Sequence, residues 1–143
     1  MKQFSLALAA LFLALAMPVA AWAQLPGITV QVINLPSATG TVEVSLFDSA
    51  DTFLVKPYLQ QSGSVSEDGT FVTRFSAVPE GDYALVVVHD ANDNEQLDTG
   101  LLGFNGEAYG YSNNVHPWFG RPSFDDVKFS AGTEEVVVEI DLD

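Results

Sequence analysis

Alternation of hydrophobic and polar residues with a period of two is the dominant pattern of this chain after its N-terminal segment. This period is typical of β-strands that bury one face, and no long stretch has the period of an amphipathic helix. Residues 53–61 are less regular, and because Pro57 cannot donate a backbone hydrogen bond, they are predicted to form an edge segment or a short helical turn. The runs predicted as strands are 27–34, 41–47, 70–75, 83–89, 124–130 and 135–142.

About seven short strands, separated by turns rich in Gly, Pro, Ser and Asp, predict an all-β fold. The expected architecture is an antiparallel two-sheet sandwich, Ig-like or transthyretin-like. One connection, residues 90–123, is far longer than the others and is rich in Gly, Asn and aromatic residues. Loops of this length in a compact domain are either functional or disordered, and the aromatic residues predict that this one is ordered.

The first 23 residues have the organisation of a secretory signal peptide. Lys2 precedes an apolar stretch, 4–17, and Ala21-Trp22-Ala23 has the small-x-small pattern of a cleavage site. The apolar stretch is too short to span a membrane comfortably. We therefore expect cleavage after Ala23 and a single exported domain over residues 24–143. It is expected in the periplasm or outside the cell, without membrane insertion after cleavage.

The mature chain is strongly acidic and has no cysteine. It keeps four Lys and Arg against nineteen Asp and Glu, a formal charge of −15 once Lys2 is removed. This charge argues against nucleic acid or an anionic membrane as the partner and favours attraction of cations. Without disulfides, the exported domain must be stabilised by packing or by a bound metal.

A series of oxygen-bearing side chains opens the long loop. Asp90, Asn92, Asn94 and Asp98 stand at relative positions 1, 3, 5 and 9, which is the spacing of a calcium-binding loop. A backbone carbonyl and a distant acid can complete a shell of six or seven oxygens, with a dissociation constant of roughly 10⁻⁴–10⁻³ M. The candidate calcium ligands are Asp90, Asn92, Asn94, Gln96 (through its carbonyl), Asp98 and Glu107.

The motifs of this loop resemble those of a bacterial family. HDANDNEQLDT at 89–99 and EAYGYSNN at 107–114 are similar to HDENGNGKLDTN and EGYGFSNN of the exported family catalogued as domain of unknown function 2141. VPEGDYA at 78–84 and PSFDD at 122–126 resemble its LPxGxYA and PSFxDA. The resemblance covers most of the mature chain. It implies a small exported β-sandwich whose biochemical role is unassigned.

The candidate calcium loop departs from that signature at two glycines, which are Asp93 and Glu95 in this chain. Position 6 of a calcium loop is normally Gly because the backbone turns sharply there, and Glu95 occupies that position. The alternative interpretation is an Asn- and Asp-rich turn that is held by hydrogen bonds from side chains to the backbone and contains no ion.

Two classes of function follow from the polar residues. His89, Asp90, Glu107 and His116 could hold zinc, or His89 could act as a base with Glu107 as the acid. However, the HExxH and GxSxG motifs are absent, and His89 is expected to make a structural hydrogen bond across the base of the loop. We therefore expect a non-catalytic binding or structural module of the cell envelope. The alternative is a metal-assisted hydrolase using His89 and Glu107.

The aromatic residues of the long loop also admit two interpretations. They can form a platform for a carbohydrate or protein ligand, or they can pack within the loop itself. Packing within the loop is favoured because Gly110 and Gly120, which stand beside them, suggest close approach of the backbone. The residues concerned are Tyr109, Tyr111, Trp118 and Phe119.

Overall fold

A computed structural model describes residues 26–93 and 107–142. Within these ranges the protein is almost entirely β-structure. It contains a single α-helix, α1 (Phe124–Val127), and a short 3₁₀ turn, Ser112–Asn114. The strands are β1 (Ile28–Ile33), β2 (Thr41–Phe47), β3 (Leu59–Ser64), β4 (Phe71–Phe75), β5 (Gly81–Asp90), β6 (Ala108–Tyr111), β7 (Phe129–Ala131) and β8 (Val136–Asp141).

The strands form two sheets, which confirms the predicted sandwich. The smaller sheet has the order β4-β1-β8, and the larger has the order β3-β2-β5-β6, with β7 paired to the beginning of β5. All pairs are antiparallel except that of β1 with β8, which is parallel. The purely antiparallel prediction is wrong at this pair. After β7 the chain crosses from the larger sheet to the smaller sheet, and a crossover of this kind allows β8 to run parallel to its neighbour β1.

The main core lies between the two sheets and is built by the period-two pattern of the strands. One face of each central strand is buried, because alternate side chains point towards the opposite sheet. The fully buried members of this core are Ile28, Val30, Val32, Val42, Val44, Leu46, Leu85, Val87 and Ile140. Burial of each such side chain contributes roughly 1.5–3 kcal/mol.

A second apolar cluster covers the outer face of the larger sheet. Phe53 stacks edge-on against Phe47, with a centroid distance of 5.3 Å, and against Phe124 at 6.0 Å. Ala84, Tyr111 and Val127 complete this buried set. The outer cluster therefore fixes α1, and the end of β6 before it, onto the sheet.

Two segments differ from their predicted structure. Residues 124–130, predicted as one strand, form α1 and then β7. A capping box begins the helix: the backbone N–H and the hydroxyl of Ser123 donate to Asp126 Oδ2 at 2.8 and 2.6 Å. These bonds lower the pKa of the Asp126 carboxyl. In addition, β6 lies within the connection that was predicted as loop, so there are eight strands among the described residues rather than about seven.

Glu135 ties together the three strands of the smaller sheet. Its carboxylate accepts a bidentate pair of bonds from Arg74 of β4, at 2.8 and 2.7 Å. It also accepts bonds from the Thr29 hydroxyl at 2.8 Å and from the Gly27 N–H at 2.9 Å. The hydrogen bonds from Arg74, and then that from Thr29, lower the pKa of this carboxyl to about 2. The charged form of Glu135 therefore stabilises the folded state.

Candidate functional site

The root of the long loop begins at the end of β5 with a local hydrogen-bonded turn. Asp90 Oδ1 accepts from the Asn92 backbone N–H at 3.2 Å, which is an Asx turn. Asp93 has a positive φ of 52° and accepts through Oδ1 from the Thr41 hydroxyl at 2.8 Å. The left-handed backbone at Asp93 explains why the similar signature has a glycine at this position.

Two predicted acidic ligands stand at the base of the loop, Asp90 as the last residue of β5 and Glu107 directly before β6. The β5–β6 register pairs Val88 with Tyr109 and His89 with Ala108. Continued by one residue, this register places Asp90 opposite Glu107. Opposed residues of an antiparallel pair project from the same face of the sheet, so the two carboxylates can both direct oxygens towards one cation.

Of the four other candidate calcium ligands, Asn92 is the one that lies within the described residues. Asn94, Gln96 and Asp98 lie outside the described residues. In ranges 26–93 and 107–142, no group of three or more His, Asp or Glu side chains could hold a metal ion. Asp90 and Glu107 are thus compatible with a calcium shell, but they do not form one by themselves.

His89 lies in the core rather than in a cleft. Its side chain is 1% exposed, and Nε2 is 2.8 Å from the carbonyl oxygen of Thr39, in the turn that precedes β2. The predicted structural hydrogen bond across the loop base is therefore present.

His89 and Glu107 do not converge. His89 projects with Val87 into the core, whereas Glu107, opposite Asp90, projects to the outer face by the alternation of the strands. His116 is exposed in the segment before α1.

Three consecutive polar residues, Ser112-Asn113-Asn114, fasten the chain after β6 to three different elements; we call them the SNN latch. Ser112, fully buried, accepts from the Leu85 N–H at 2.9 Å and donates to the Val127 carbonyl at 2.5 Å. The Asn113 amide donates to the carbonyl of Lys128 at 2.9 Å. Asn114 Oδ1 accepts from the N–H of Asp141, in β8, at 3.0 Å. The sequence interpretation assigned no role to these side chains.

The latch requires an unusual backbone. Asn113 and Asn114 both have positive φ, 62° and 49°. Asparagine tolerates this left-handed conformation better than most residues. The turn thereby directs three adjacent side chains towards β5, α1 and β8. A sequence signal was available, since a Ser-Asn-Asn run directly after a strand is typical of such turns.

The four aromatic residues differ in burial: Tyr111 is buried, Tyr109 is 39% exposed, and Trp118 and Phe119 are almost fully exposed. Tyr111 is 7% exposed in the outer cluster, where burial raises the pKa of its hydroxyl, and the ring of Tyr109 lies edge-on to it at 5.8 Å. By contrast, Trp118 and Phe119 are 98% and 95% exposed. Packing within the loop is therefore correct for Tyr111 and wrong for Trp118 and Phe119, which we call the aromatic tip.

The two glycines beside these aromatics act differently. A Cβ on Gly110 would lie 2.7 Å from Ile140 Cγ2 and from Leu142 Cδ2, so β6 approaches β8 as closely as was predicted. Gly120 has a φ of +68°, and nothing lies within 4 Å of the position that a Cβ would occupy, so it serves the turn and not a close approach. Gly120 thus allows the chain to bend back directly after the aromatic tip.

These features define the class of the protein as an all-β, two-sheet sandwich with a long, elaborated connection between β5 and α1. The chain belongs to the bacterial family described as "Uncharacterized protein conserved in bacteria (DUF2141)", whose model matches residues 30–139. No curated protein and no solved structure matched the chain. In the described part of the chain, no helix has the length and apolar character needed to cross a membrane.

Proposed function

We propose that this protein is an exported, non-catalytic binding module of the bacterial cell envelope, which binds a partner protein through the aromatic tip. The observation that carries this proposal is the nearly complete exposure of two adjacent aromatic side chains, Trp118 and Phe119. The signal-peptide pattern of residues 1–23 supports export.

The aromatic tip is held at both ends by the outer cluster. On one side Val115 packs partly against that cluster, and on the other Pro122 and Phe124 are buried. Pro117 and Pro122 restrict the backbone of the short segment between these points. A loop fixed in this way loses little conformational entropy when its tip binds.

The composition of the tip is that of a protein-binding centre. Trp and Arg are the residues most enriched among those that dominate binding energy, and exposed Arg121 lies two residues after Phe119. An aromatic side chain buries roughly 150–250 Å² when a pocket encloses it. Two neighbouring rings can therefore supply the apolar centre of a small interface.

Site-specific photocrosslinking in the producing bacterium tests this proposal. A photoreactive phenylalanine analogue at position 119 is expected to give a discrete protein adduct, and the yield should fall when Trp118 is replaced by alanine. The matched control carries the analogue at Val137, which is 59% exposed on the other sheet. Absence of an adduct from position 119, or the same adducts from both positions, would contradict the proposal.

The binding partner can also be studied with intrinsic fluorescence. Because Trp22 lies in the predicted signal peptide, Trp118 is the single tryptophan of the mature chain. Its emission should shift to the blue when a purified partner encloses the indole ring. A shift produced instead by envelope oligosaccharides alone would reassign the tip to carbohydrate binding.

We also propose that calcium supports the loop at its root; this is supported by the β5–β6 register, which, extended one residue beyond its last pair, His89–Ala108, brings Asp90 opposite Glu107. Calcium should raise the melting temperature of residues 24–143 in a saturable way, whereas magnesium should not. Asp98→Ala should abolish this rise, and Asp51→Ala, which removes an exposed acid outside the loop, should retain it. An unchanged melting temperature in millimolar calcium would leave the root as a hydrogen-bonded turn.

A further inference from the structure

Strand β3 is an exposed edge of the larger sheet. Among the described residues it pairs with β2 alone, through six consecutive residue pairs from Thr41–Ser64 to Leu46–Leu59. Five of its six residues are exposed, including Leu59 and Gln61, whose side chains point towards the side of the smaller sheet. The smaller sheet reaches β3 at Gly63, where a Cβ would lie 2.7 Å from Cε2 of Phe71 in β4, and the other five residues of the strand are exposed to solvent.

The free edge of β3 presents the backbone groups of alternate residues. Val65 N–H donates to the Gly40 carbonyl at 3.4 Å, in the register that continues the β2–β3 pairs. In an antiparallel ladder every second residue bonds to the same neighbour, so residues 59, 61 and 63 face β2. The N–H and C=O groups of Gln60, Ser62 and Ser64 consequently point away from the sheet.

The sequence of β3 lacks the features that usually protect an edge strand. Leu59-Gln60-Gln61-Ser62-Gly63-Ser64 contains no charged residue and no proline. The other two long edge strands of the described fold, β8 and β4, do carry charged side chains. Strand β8 carries Glu139 and Asp141, and the Asp141 N–H is bound by Asn114 of the SNN latch. Strand β4 carries Arg74, which is ion-paired with Glu135.

From this geometry we propose that β3 is a strand-addition site for an extended, cationic segment of another protein. Backbone hydrogen bonds, about six for pairing with three outward residues, supply the affinity in this mode of recognition. The charges around the strand favour a cationic ligand: Glu43 is paired with Ser62 on the same face, and Glu67 and Asp68 stand three and four residues after the strand, against the single cation Lys56 three residues before it. This site is independent of the aromatic tip.

A second copy of the chain fits this edge less well than a cationic segment. A strand of six residues is about 20 Å long, and pairing along it alone buries less than the roughly 1,200 Å² of a stable dimer. Two copies would also bring together two mature chains that each carry a formal charge of −15. The repulsion between two acidic chains and the small area that they would bury both argue against a second copy of the chain, and the negative charge around β3 favours a basic peptide.

The test uses residues 24–143 and a synthetic ten-residue peptide of alternating lysine and valine, with affinity measured by fluorescence anisotropy. A second peptide, N-methylated at every residue, keeps the charge but has no backbone N–H donors. Strand addition predicts at least about tenfold weaker binding of the methylated peptide. Equal binding of the two peptides, or no binding of the first, would overturn the proposal.

Variants of β3 locate the binding site. Ser62→Pro removes an outward N–H without removing a bond to β2, and Ser62→Lys places a repelling charge on the same residue. Both should weaken binding about tenfold or more, whereas Val72→Lys, with the same added charge on the smaller sheet, should have less effect. If Ser62→Pro does not fold, Ser62→Lys decides. Equal effects of the two lysine variants would show nonspecific attraction and overturn the proposal.

Amide hydrogen exchange gives an independent readout. The N–H groups of Gln60, Ser62 and Ser64 should exchange rapidly in the free protein and slowly with the peptide bound. The amides of 59, 61 and 63, which already face β2, should change little. Protection that appears at high protein concentration without peptide, together with dimer formation in sedimentation, would assign the edge to a second copy and overturn the proposal.

Discussion

Replacement of Ser112 by alanine would separate the contribution of the SNN latch from that of general packing. The hydroxyl of Ser112 satisfies two backbone groups at once, the N–H of Leu85 in β5 and the carbonyl of Val127 in α1. Since Ser112 is fully buried, water is not expected to replace the lost oxygen without rearrangement. The variant therefore leaves one donor and one acceptor unsatisfied.

The expected loss follows from the cost of those two groups. An unsatisfied buried donor or acceptor costs about 1–3 kcal/mol, so the two groups left by Ser112→Ala should lower the free energy of unfolding by roughly 2–6 kcal/mol. For a domain of this size, each kcal/mol lowers the melting temperature by roughly 3–6 °C. The melting temperature should therefore fall by roughly 6 °C or more.

Thermal melting and urea unfolding, both followed by circular dichroism, measure this loss. Ser130→Ala is the matched control because it also deletes a hydroxyl that donates a hydrogen bond, to Asp82 Oδ1 at 2.7 Å, but on an exposed surface. The control should change the free energy of unfolding by no more than about 0.5 kcal/mol. Equal effects of the two variants would refute the role assigned to the buried hydroxyl.

Three further predictions follow from the same structure. Gly110→Ala should lower the unfolding free energy in urea by about 1–3 kcal/mol, because its Cβ would lie 2.7 Å from side-chain carbons of Ile140 and Leu142, whereas Gly132→Ala, with open space around it, should not. Glu135→Gln should be less stable than the wild type at neutral pH. Because the pKa of the Glu135 carboxyl is lowered from 4.5 to about 2 in the folded state, its stabilising contribution is present above pH 4.5 and is lost as the pH falls towards 2. Melting temperatures measured from pH 6 to 2 should therefore show the difference between the two proteins disappear, and a constant difference would contradict this. Trp118→Ala should leave the melting temperature within about 2 °C of the wild type, because the ring is 98% exposed.

The strands were predictable because burial of one sheet face imposes a period of two on the sequence. This pattern located β1, β2, β4, β5 and β8 to within a few residues. It failed at 124–130, where the local capping box starts a helix too short to show a helical period. The Ser-x-x-Asp spacing of 123–126 was the signal that could have revealed that start.

The functional residues were less predictable because their environment depends on distant segments. The bond from His89 across the loop base could be anticipated, since a polar residue at the end of a buried strand needs a partner. The partners of Ser112, by contrast, are 27 and 15 residues away. Periodicity could not distinguish exposed Trp118 from buried Tyr111, because neither belongs to a long regular element.

The division between buried supports and exposed tip determines how binding and stability should respond to mutation. Trp118 and Phe119 bury almost nothing in the described fold, so their removal should affect binding without affecting folding. Ser112 and Phe124 hold the ends of the segment that displays the tip, and their removal should weaken both. A solvent-exposed aromatic pair costs hydration free energy and contributes nothing to packing. The display of this exposed pair between buried neighbours is the feature on which the proposed binding role rests.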